Sequence, residues 1–506
     1  MRIPSLPPLL ALSLAAVVAL GVAQADARRI DASTERNVEG RTAPVASLLI
    51  GRLELEWGDA APTTKSAGAP ESLFRATLVD DHGGRHPLDP DQALRAAEDL
   101  YALYGRRVAV STAPVAAKGG VRNGATRVID AIVPIGDLSP SKAAEIPPKV
   151  AGVTVWATLM CKFSDIATEQ KPQSFFQGQY GTAAGQLDHY WQEVSYGQIN
   201  LAGSAAYGWA TLPQPRSYYV TLDTTTNKDK ADLSKLFQDC IAAHDADVNF
   251  AANGGLQGVN MMFNGDLDGY AWGGSRCAAL DGVNKCWSTT WNPPWSFNNL
   301  APLSHEMGHA YGLPHANNSD KDSDPYDNPW DVMSDAWNNG VSNATYGTLP
   351  KHINIYSRNR LGWVATARKR TIAAGSGATS FAIDRASLPG STNTQMLILN
   401  YPDQTTRYYT VEVRKRTGSY ENRLAGDAVI VHEVQTSRSE PAWSVDTDTP
   451  PANRANNEGS MLKVGETWTA PDLAFRLYVR SATTNGFVVE VRPGPRKSRP
   501  GQLRQL

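Results

Sequence analysis

Four residues within a short stretch of the chain could hold and use a metal ion. His305 and His309 are four positions apart, so on a helix both imidazoles lie on one face and can bind the same ion. Glu306 projects from the same turn and can reach a water molecule at that ion. His315 follows downstream and can supply a third nitrogen. Three protein ligands leave one position open for water, which is typical of a catalytic rather than a structural zinc site.

The neighbouring residues indicate how a helix could position these side chains. Asn298 and Asn299 are candidate N-caps, and Pro302 is tolerated in a first turn. Gly312 permits a positive φ at the helix end, and Pro314 prevents the helix from resuming. The chain can therefore turn back after the second histidine and bring the third to the same ion. A buried helix that carries histidines by chance is the alternative, and the added spacing disfavours it.

The pattern His-Glu-x-x-His-x-x-Gly-x-x-His over residues 305–315 resembles the signature of metzincin metallopeptidases. Met333 in residues 330–334 is the candidate for their methionine turn, a polarisable apolar floor beneath the metal. The chain most resembles the gametolysin-like and immune inhibitor A-like secreted peptidases, over about residues 150–365. The sequence segments that carry this resemblance are residues 188–197, 312–317, 326–333 and 360–363. It implies one catalytic zinc and a peptidase domain with a mixed sheet and an active-site helix.

Two positions depart from the better-known metzincin groups. Some metzincins have a tyrosine ligand two residues after the turn methionine, where this chain has Asp335. The third histidine is followed by Ala316, which differs from the usual residue of astacins, serralysins, reprolysins and matrixins. No tyrosine ligand is therefore expected, and the substrate preferences of those groups are not transferred.

Strand and helix patterns divide the chain into regions and predict an α+β protein. The peptidase domain is flanked by an N-terminal β-rich module and a C-terminal antiparallel β-sandwich. The predicted regions are a signal peptide (1–25), the N-terminal module (26–148), the zinc peptidase domain (149–365), the sandwich (366–492) and a disordered basic tail (493–506).

The N-terminus and the charge bear on location and partners. A short apolar run from Leu9 to Ala23 precedes the small-residue site Ala23-Gln24-Ala25, as in a secretory signal peptide. We therefore expect a secreted protein, extracellular or, in a Gram-negative host, periplasmic, with no membrane segment after cleavage. The net charge of −2 gives no reason to expect nucleic acid as a partner. Protein or peptide substrates are expected, and the oligomeric state is left open.

Four cysteines, all in the predicted peptidase domain, suggest two disulfides in an oxidising compartment. Cys277 and Cys286 are close in sequence and would close a short loop, which leaves Cys161 to pair with Cys240. The two other pairings remain possible at this stage. The absence of Cys-x-x-Cys spacing argues against a structural zinc site.

The N-terminal module is either a removable pro-region, which would make the chain a zymogen, or an accessory domain. Residues 113–123 read as a linker, so cleavage is expected between Ala113 and Ser139. A cysteine switch is excluded because no cysteine precedes Cys161. Gly58-Asp59 is interpreted as a plain hairpin turn, with an aspartate that silences the metal as the alternative.

Two further segments are candidates for binding. Residues Trp272, Gly273 and Gly274 could bind a substrate backbone by strand addition, or form an ordinary loop at a strand end. The loop 318–335 is rich in carboxylates and could bind Ca²⁺, or be a solvated acidic loop. Its acidic residues are Asp320, Asp322, Asp324, Asp327, Asp331 and Asp335.

The remaining histidines show no ligand spacing and are interpreted as surface or packing residues. They are His82, His86, His189, His244, His352 and His432.

These observations predict a secreted zinc endopeptidase in which Glu306 acts as the general base toward a metal-activated water. One alternative is a secreted binding or adhesion protein with a degenerate site, which the intact glutamate disfavours. The other is a zinc hydrolase of a non-peptide amide bond, which the motif does not distinguish from a peptidase.

Overall fold

Strands and helices alternate along the computed structural model, which describes residues 47–61, 72–114, 127–135, 150–320, 324–448 and 458–493. The predicted signal peptide, residues 115–123 of the predicted linker, Asp322 and residues 494–506 of the predicted tail lie outside these ranges. The described residues belong to one compact unit. In the described ranges no helix is both long and apolar enough to cross a bilayer.

The N-terminal module is an antiparallel β structure with one short α-helix. Its elements are β1 (Ser47–Ala60), β2 (Ser72–Asp80), β3 (Arg85–Leu88), α1 (Pro90–Ala96), a 3₁₀ helix (Leu100–Leu103), β4 (Arg107–Pro114) and β5 (Arg127–Pro134). The 3₁₀ helix is separate from α1, because the Asp99 side chain accepts a hydrogen bond from Ala102 N and starts a new turn. Leu53 and Leu55 of β1 pack in the core of the module with Tyr101.

The middle of the chain contains the predicted catalytic helix. Its strands are β6 (Gly152–Val153), β7 (Trp156–Lys162), β8 (Ile199–Asn200), β9 (Ala205–Thr211), β10 (Val220–Asp223), β11 (Lys228–Ala231), β12 (Gly258–Phe263), β13 (Tyr270–Leu280), β14 (Val283–Asn292), β15 (Asn317–Asn318), β16 (Val341–Asn343) and β17 (Gly347–Leu349). Its helices are α2 (Gln173–Gln179), α3 (Leu187–Val194), α4 (Arg216–Tyr219), α5 (Leu233–His244), α6 (Pro294–Phe297), α7 (Leu300–Ala310) and α8 (Ile355–Arg360), with 3₁₀ turns at Ala252–Gly254 and Thr366–Arg368.

One mixed sheet joins the N-terminal module to this middle region. Its strand order is β3-β2-β1-β13-β14-β12-β7-β9, and β4 and β5 extend it from β1. Strands β14, β12, β7 and β9 are parallel, whereas β13 is antiparallel to both β14 and β1. Without β1, strand β13 would be an edge strand with unpaired backbone groups, which is the geometry that accepts an added peptide strand.

The C-terminal region is built from two sheets that share one apolar core. Its elements are β18 (Lys369–Ala373), β19 (Thr379–Asp384), β20 (Met396–Asn400), β21 (Arg407–Arg414), α9 (Gly418–Glu421), β22 (Ala428–Gln435), β23 (Ala442–Ser444), a 3₁₀ turn (Glu458–Ser460), β24 (Thr467–Thr469), β25 (Phe475–Ala482) and β26 (Gly486–Pro493). The sheets have the orders β15-β23-β22-β21-β20-β18 and β19-β26-β25-β24.

The sequence predicted an antiparallel arrangement here, and two strand pairs differ from it. Strands β18 and β20 are parallel, and so are β15 and β23. Because β15 follows the catalytic helix directly, the first C-terminal sheet includes a strand from the region assigned to the peptidase domain. The predicted α+β class is confirmed.

Candidate metal centre and its cleft

Helix α7 carries the predicted metal ligands and is buried along its whole length. Asn299 is its N-cap residue, but the Asn299 side chain makes no capping bond and instead accepts from Thr348 N at 3.0 Å. The helix ends because Gly312 adopts φ +87°, where its N–H donates to His309 O and Leu313 N donates to Gly308 O. This turn is the predicted one and directs the chain back toward the helix face.

The three histidines converge at one point. His309 Nε2 lies 3.0 Å from His305 Nε2 and 3.1 Å from His315 Nε2. His305 Nδ1 lies 2.6 Å from Val332 O and His309 Nδ1 lies 2.7 Å from Leu313 O, so both Nδ1 atoms must carry protons to donate. Burial also lowers the pKa of His309 to about 3, which keeps its imidazole neutral.

Because the backbone carbonyls hold the Nδ1 protons of His305 and His309, their Nε2 atoms are the ones that would face a bound cation. Two ligand nitrogens of a tetrahedral zinc with bonds of about 2.05 Å lie about 3.3 Å apart, close to the separations here. Asp59 Oδ2 and Glu306 Oε2 are both buried at this point without a hydrogen-bond partner. The donor set therefore fits a zinc ion. Among the described residues, Asp59 and the three histidines are the group that could hold a metal.

Asp59 of the N-terminal module completes this group. Its Oδ1 lies 2.7 Å from His315 Nε2 and 3.2 Å from His305 Nε2, and its Oδ2 lies 3.3 Å from His309 Nε2. Tyr326 OH donates to Asp59 Oδ1 at 2.6 Å. Burial alone would raise the pKa of Asp59, but His305 and His315 lower it well below its usual value. The carboxylate is thus an anionic fourth ligand candidate.

The hairpin turn predicted at Gly58-Asp59 is wrong. Strand β1 continues through both residues to Ala60, because Gly58 to Ala60 pair with Trp272 to Tyr270 of β13. The local glycine and aspartate favour a turn, but the backbone hydrogen bonds to an edge strand distant in sequence outweigh that preference.

The residues proposed to bind a substrate backbone lie against β1. Gly273 allows β13 to lie directly on α7, since a Cβ there would overlap Glu306 O and approach His309 Cβ to 2.8 Å. Gly274 allows β1 to approach, because a Cβ would overlap Leu55 O. Trp272 packs over Gly58, where a Cβ would lie 2.8 Å from the indole ring. These glycines let β13 lie close to both α7 and β1, and the module's own strand occupies this edge of β13.

Trp57 of the N-terminal module packs directly on one of the three histidines. Its ring stacks on His309 with centroids 4.8 Å apart and an interplanar angle of 7°. Tyr104 OH donates to Ala310 O at 2.9 Å, so a second module residue binds the end of α7. The module thus contacts the metal ligands through both a carboxylate and an aromatic face.

Glu306 is buried beside the three histidines. Burial, with a contribution from Asp59, raises the pKa of the Glu306 carboxyl well above its usual value. A cavity of about 200 Å³ opens next to it, with apolar walls from Trp295, Pro302 and Trp337. Ala60 of β1 also lines this cavity. Glu306 therefore lies between the metal group and a space that a side chain could enter.

Met333 lies beneath the metal group, as predicted. A Cβ on Gly308 of α7 would overlap Met333 Sδ, so glycine is what lets the helix rest on this side chain. Asp331 Oδ1 accepts from Met333 N at 2.8 Å and holds the turn, and Val332 O accepts from His305. Sequence analysis missed Gly308, although its position inside the motif could have suggested close contact.

The carboxylates of the acidic loop cap local turns. Asp324 accepts from Tyr326 N, Asp327 from Asn318 N, and Asp331 and Asp335 from the backbone of the residues that follow them. Asp320 N donates to Asn318 Oδ1. Within the described part of this loop the carboxylates are used in this way, and Ca²⁺ binding gains no support from their arrangement.

The other described histidines do not join the metal group. His86 contacts Asp80, His189 contacts Tyr420, and His244 contacts the backbone of Met160. His352 is buried between the carboxylates of Glu193 and Glu421, at 3.1 and 3.4 Å.

The cysteines are joined as Cys161–Cys240 and Cys277–Cys286. The second bond links directly opposite residues of the β13–β14 hairpin, where the sequence indicated only a loop. It therefore fastens the edge strand to its neighbour inside the sheet. The Cys286 side chain faces Gly105 of the module. A Cβ added to this glycine would lie 3.6 Å from Cys286 Cβ.

A family model described as gametolysin peptidase M11 matches residues 152–448 of the chain. The match includes the three histidines, the edge strand β13 and the first C-terminal strands up to β23. It begins after the N-terminal module, so Asp59 lies outside it. A comparison with curated proteins found no match.

Proposed function

Since the chain belongs to the gametolysin peptidase M11 family, a metallopeptidase family, we propose that it is a secreted zinc endopeptidase of metzincin type in a latent form. The observation that carries this proposal is the Asp59 carboxylate at the three histidine nitrogens, on a strand that fills the adjoining substrate edge. The two disulfides and the predicted signal peptide support export.

Three imidazoles would hold the metal in the active form. A zinc ion held by His305, His309 and His315 would supply Lewis-acid polarisation of the scissile carbonyl and would acidify the attacking water. The Val332 and Leu313 carbonyls fix two of the rings by accepting from their Nδ1 atoms. The chain's own contribution is thus a set of pre-oriented neutral ligands.

Glu306 is the general base in this proposal. Its carboxylate lies beside the histidines and takes a proton from the attacking water, then delivers that proton to the leaving amine. The apolar cavity beside Glu306 would receive a side chain of the bound peptide.

Latency follows from two contacts of β1. Asp59 occupies the place where water would meet the metal, because its oxygens lie within 2.7–3.3 Å of all three Nε2 atoms. Backbone pairing of Glu56 to Ala60 with β13 occupies the edge that a substrate strand would use. Neither water nor substrate can reach the metal until the module moves away.

The positions of the module's strands narrow the range of residues in which the predicted cleavage can fall. Strand β5 pairs with β4 through Pro134, so the module extends past most of the predicted cleavage range of residues 113–139. A cut that frees the whole module must fall between β5 and β6, within residues 135–151. Arg360 pairs with Asp99 at 2.8 Å, so the cut chain must also lose this ion pair before the module leaves.

Activity toward a generic protein tests the enzymatic part of the proposal. Secreted chain freed of the module should hydrolyse casein, lose activity with a chelator and regain it with Zn²⁺. The Glu306→Ala variant should bind the metal without hydrolysis. Metal binding without hydrolysis by the wild-type enzyme would instead favour a binding protein or a hydrolase of another amide bond.

The metal environment tests the latent part. Co²⁺ substituted into the uncleaved chain should show one visible spectrum in the wild type and another in Asp59→Ala, where the carboxylate is lost. Asp81→Ala removes an exposed carboxylate of the same module, on a side chain that is 61% exposed, and should leave the spectrum unchanged. An unchanged spectrum in Asp59→Ala would contradict coordination by Asp59.

A further inference from the structure

Strand β1 lies on the cleft as an extended peptide of known direction. It runs antiparallel to β13 with Glu56 opposite Gly274 and Asp59 opposite Ala271. A substrate added to the same edge in this direction would pass its residues over the same positions, with alternate side chains on opposite faces. The side chains of β1 therefore mark which groups of the enzyme a substrate meets.

Two glutamates of β1 meet one arginine of the edge strand. Glu54 and Glu56 share a face of β1, and the side chain of Arg276 of β13 reaches both of them. Arg276 Nη2 donates to Glu56 Oε1 in a direct ion pair, and Arg276 Nη1 lies 3.6 Å from Glu54 Oε2. Arg85 of the module also binds Glu54. The docked strand thus carries its negative charge to a cationic position beside the cleft.

Arg276 is held in place by residues that remain when the module leaves. Its Nη1 donates to Ser234 Oγ at 3.0 Å, and its guanidinium lies over the Trp291 ring at 5.5 Å. Both partners belong to the family-matched region, whereas both carboxylates belong to the module. Release of the module removes these carboxylates from a guanidinium that is only 4% exposed in the docked state.

The space around Arg276 can admit a side chain. A cavity of about 540 Å³ lies between the module and α5 and is lined by Glu56, Ser234 and Arg276. Lys230 adds positive charge to its wall and Asp232 adds negative charge. An oriented guanidinium with a stacked aromatic face favours a carboxylate in a charge-assisted hydrogen bond.

We infer that Arg276 is a specificity-determining residue, which selects peptides carrying Asp or Glu on the N-terminal side of the cleaved bond, where Glu56 lies in the latent chain. The inference rests on the proposed function. The acidic residue takes the position three residues before the one that meets the histidines, as Glu56 precedes Asp59. Acidic extended segments are the favoured substrates.

Matched peptides provide the test. In enzyme freed of the module from the full chain, a single Glu moved along an otherwise neutral peptide should raise kcat/KM at one position, within about four residues before the bond. The expected gain over Gln there is about tenfold or more, mainly through KM, since a charge-assisted contact is being made. Arg276→Gln should abolish the difference. Lys235→Gln, which removes an exposed charge that pairs with Asp232, should keep it.

A binding measurement keeps the inference testable if Arg276→Gln fails to fold. A synthetic peptide copying residues 53–61 should inhibit the wild-type freed enzyme, and its Glu56→Gln form should inhibit about tenfold less well. Casein hydrolysis with equal rates for Glu and Gln peptides, or equal inhibition by both copies, would overturn the inference and leave the proposed function standing. An enzyme that hydrolyses no peptide would overturn both.

Discussion

At the scale of single residues, the ligands could be predicted because their chemistry is written in local spacing. His305 and His309 share a helix face, and Gly312 directs the chain toward His315. Asp59 was named only as the alternative to a hairpin turn, because 256 residues separate it from His315 and its local sequence favours a turn. The Tyr326 hydroxyl, which orients that carboxylate, is likewise distant from it in sequence.

The metal ligands give the first prediction at this scale. His309→Ala should lose zinc, because two nitrogens and an aspartate that leaves with the module cannot hold the ion in the active form. Metal analysis of purified protein measures this directly. His189→Ala is a matched control, since His189 contacts Tyr420 rather than the metal group. Full zinc content in His309→Ala would show that the assignment is wrong.

Glu306 gives the second prediction at the scale of single residues. Glu306→Ala should keep the fold and the zinc but lower turnover by about 10²–10⁴-fold, the usual contribution of general-base catalysis. Steady-state kinetics after removal of the module, with metal content and circular dichroism on the same sample, separate chemistry from folding. Near-normal turnover would mean that another group accepts the proton.

Gly308 gives the third prediction at this scale, which concerns stability. Gly308→Ala should destabilise the protein by about 1–3 kcal/mol, because the added methyl group overlaps Met333 Sδ in a packed core. Met333→Ala in the same chain should recover part of this loss by making space. Thermal unfolding of the two variants and their combination measures the coupling, and additive effects would contradict the contact.

At the scale of elements, the local signals predicted helix α7, which begins at Leu300 after Asn299 and ends at Ala310 before Gly312. Local sequence patterns failed to predict the strands whose extent depends on pairing with another strand. The segment around the nearby cysteines was expected to be a loop, yet β13 and β14 form a hairpin with Cys277 opposite Cys286. A turn was expected at Gly58-Asp59, yet β1 continues to Ala60, because β13 holds its last residues against their own turn preference.

The two disulfides should differ in their effect on stability. In the loop-entropy model, replacing Cys277 and Cys286 by Ser should cost about 2.6 kcal/mol, since the bond closes a short loop. Replacing Cys161 and Cys240 should cost about 4.5 kcal/mol because 79 residues separate them. Denaturant unfolding of both variants measures the order, and a larger loss for the hairpin bond would contradict it.

At the scale of the whole molecule, the C-terminal region supports the floor of the metal site. Arg414 of β21 donates to Trp330 O at 2.6 Å, and Trp330 Nε1 donates to Ser460 Oγ at 2.9 Å. Strand β15 pairs with β23 across the predicted boundary at residue 365. The boundary was placed where the strand pattern changes, and sequence patterns do not show that strands on either side pair.

Truncation tests this dependence. A chain ending at residue 365 should fail to unfold cooperatively, because β15 and the methionine turn lose their partners, whereas one ending at residue 493 should fold. Near-ultraviolet circular dichroism during heating distinguishes the two. A cooperative transition in the shorter chain would show that the peptidase region folds without its C-terminal partner.

Peptidase activity of one secreted preparation, measured before and after proteolytic release of the N-terminal module, tests the central claim most directly. N-terminal sequencing of the product fixes where the chain was cut, which we expect within residues 135–151. The account predicts almost no activity in the uncleaved chain and a rise of at least about 100-fold on release, in the range of removing a block on catalytic chemistry. Equal activity of the uncleaved chain, in which β1 is still attached, and of the released enzyme would contradict it.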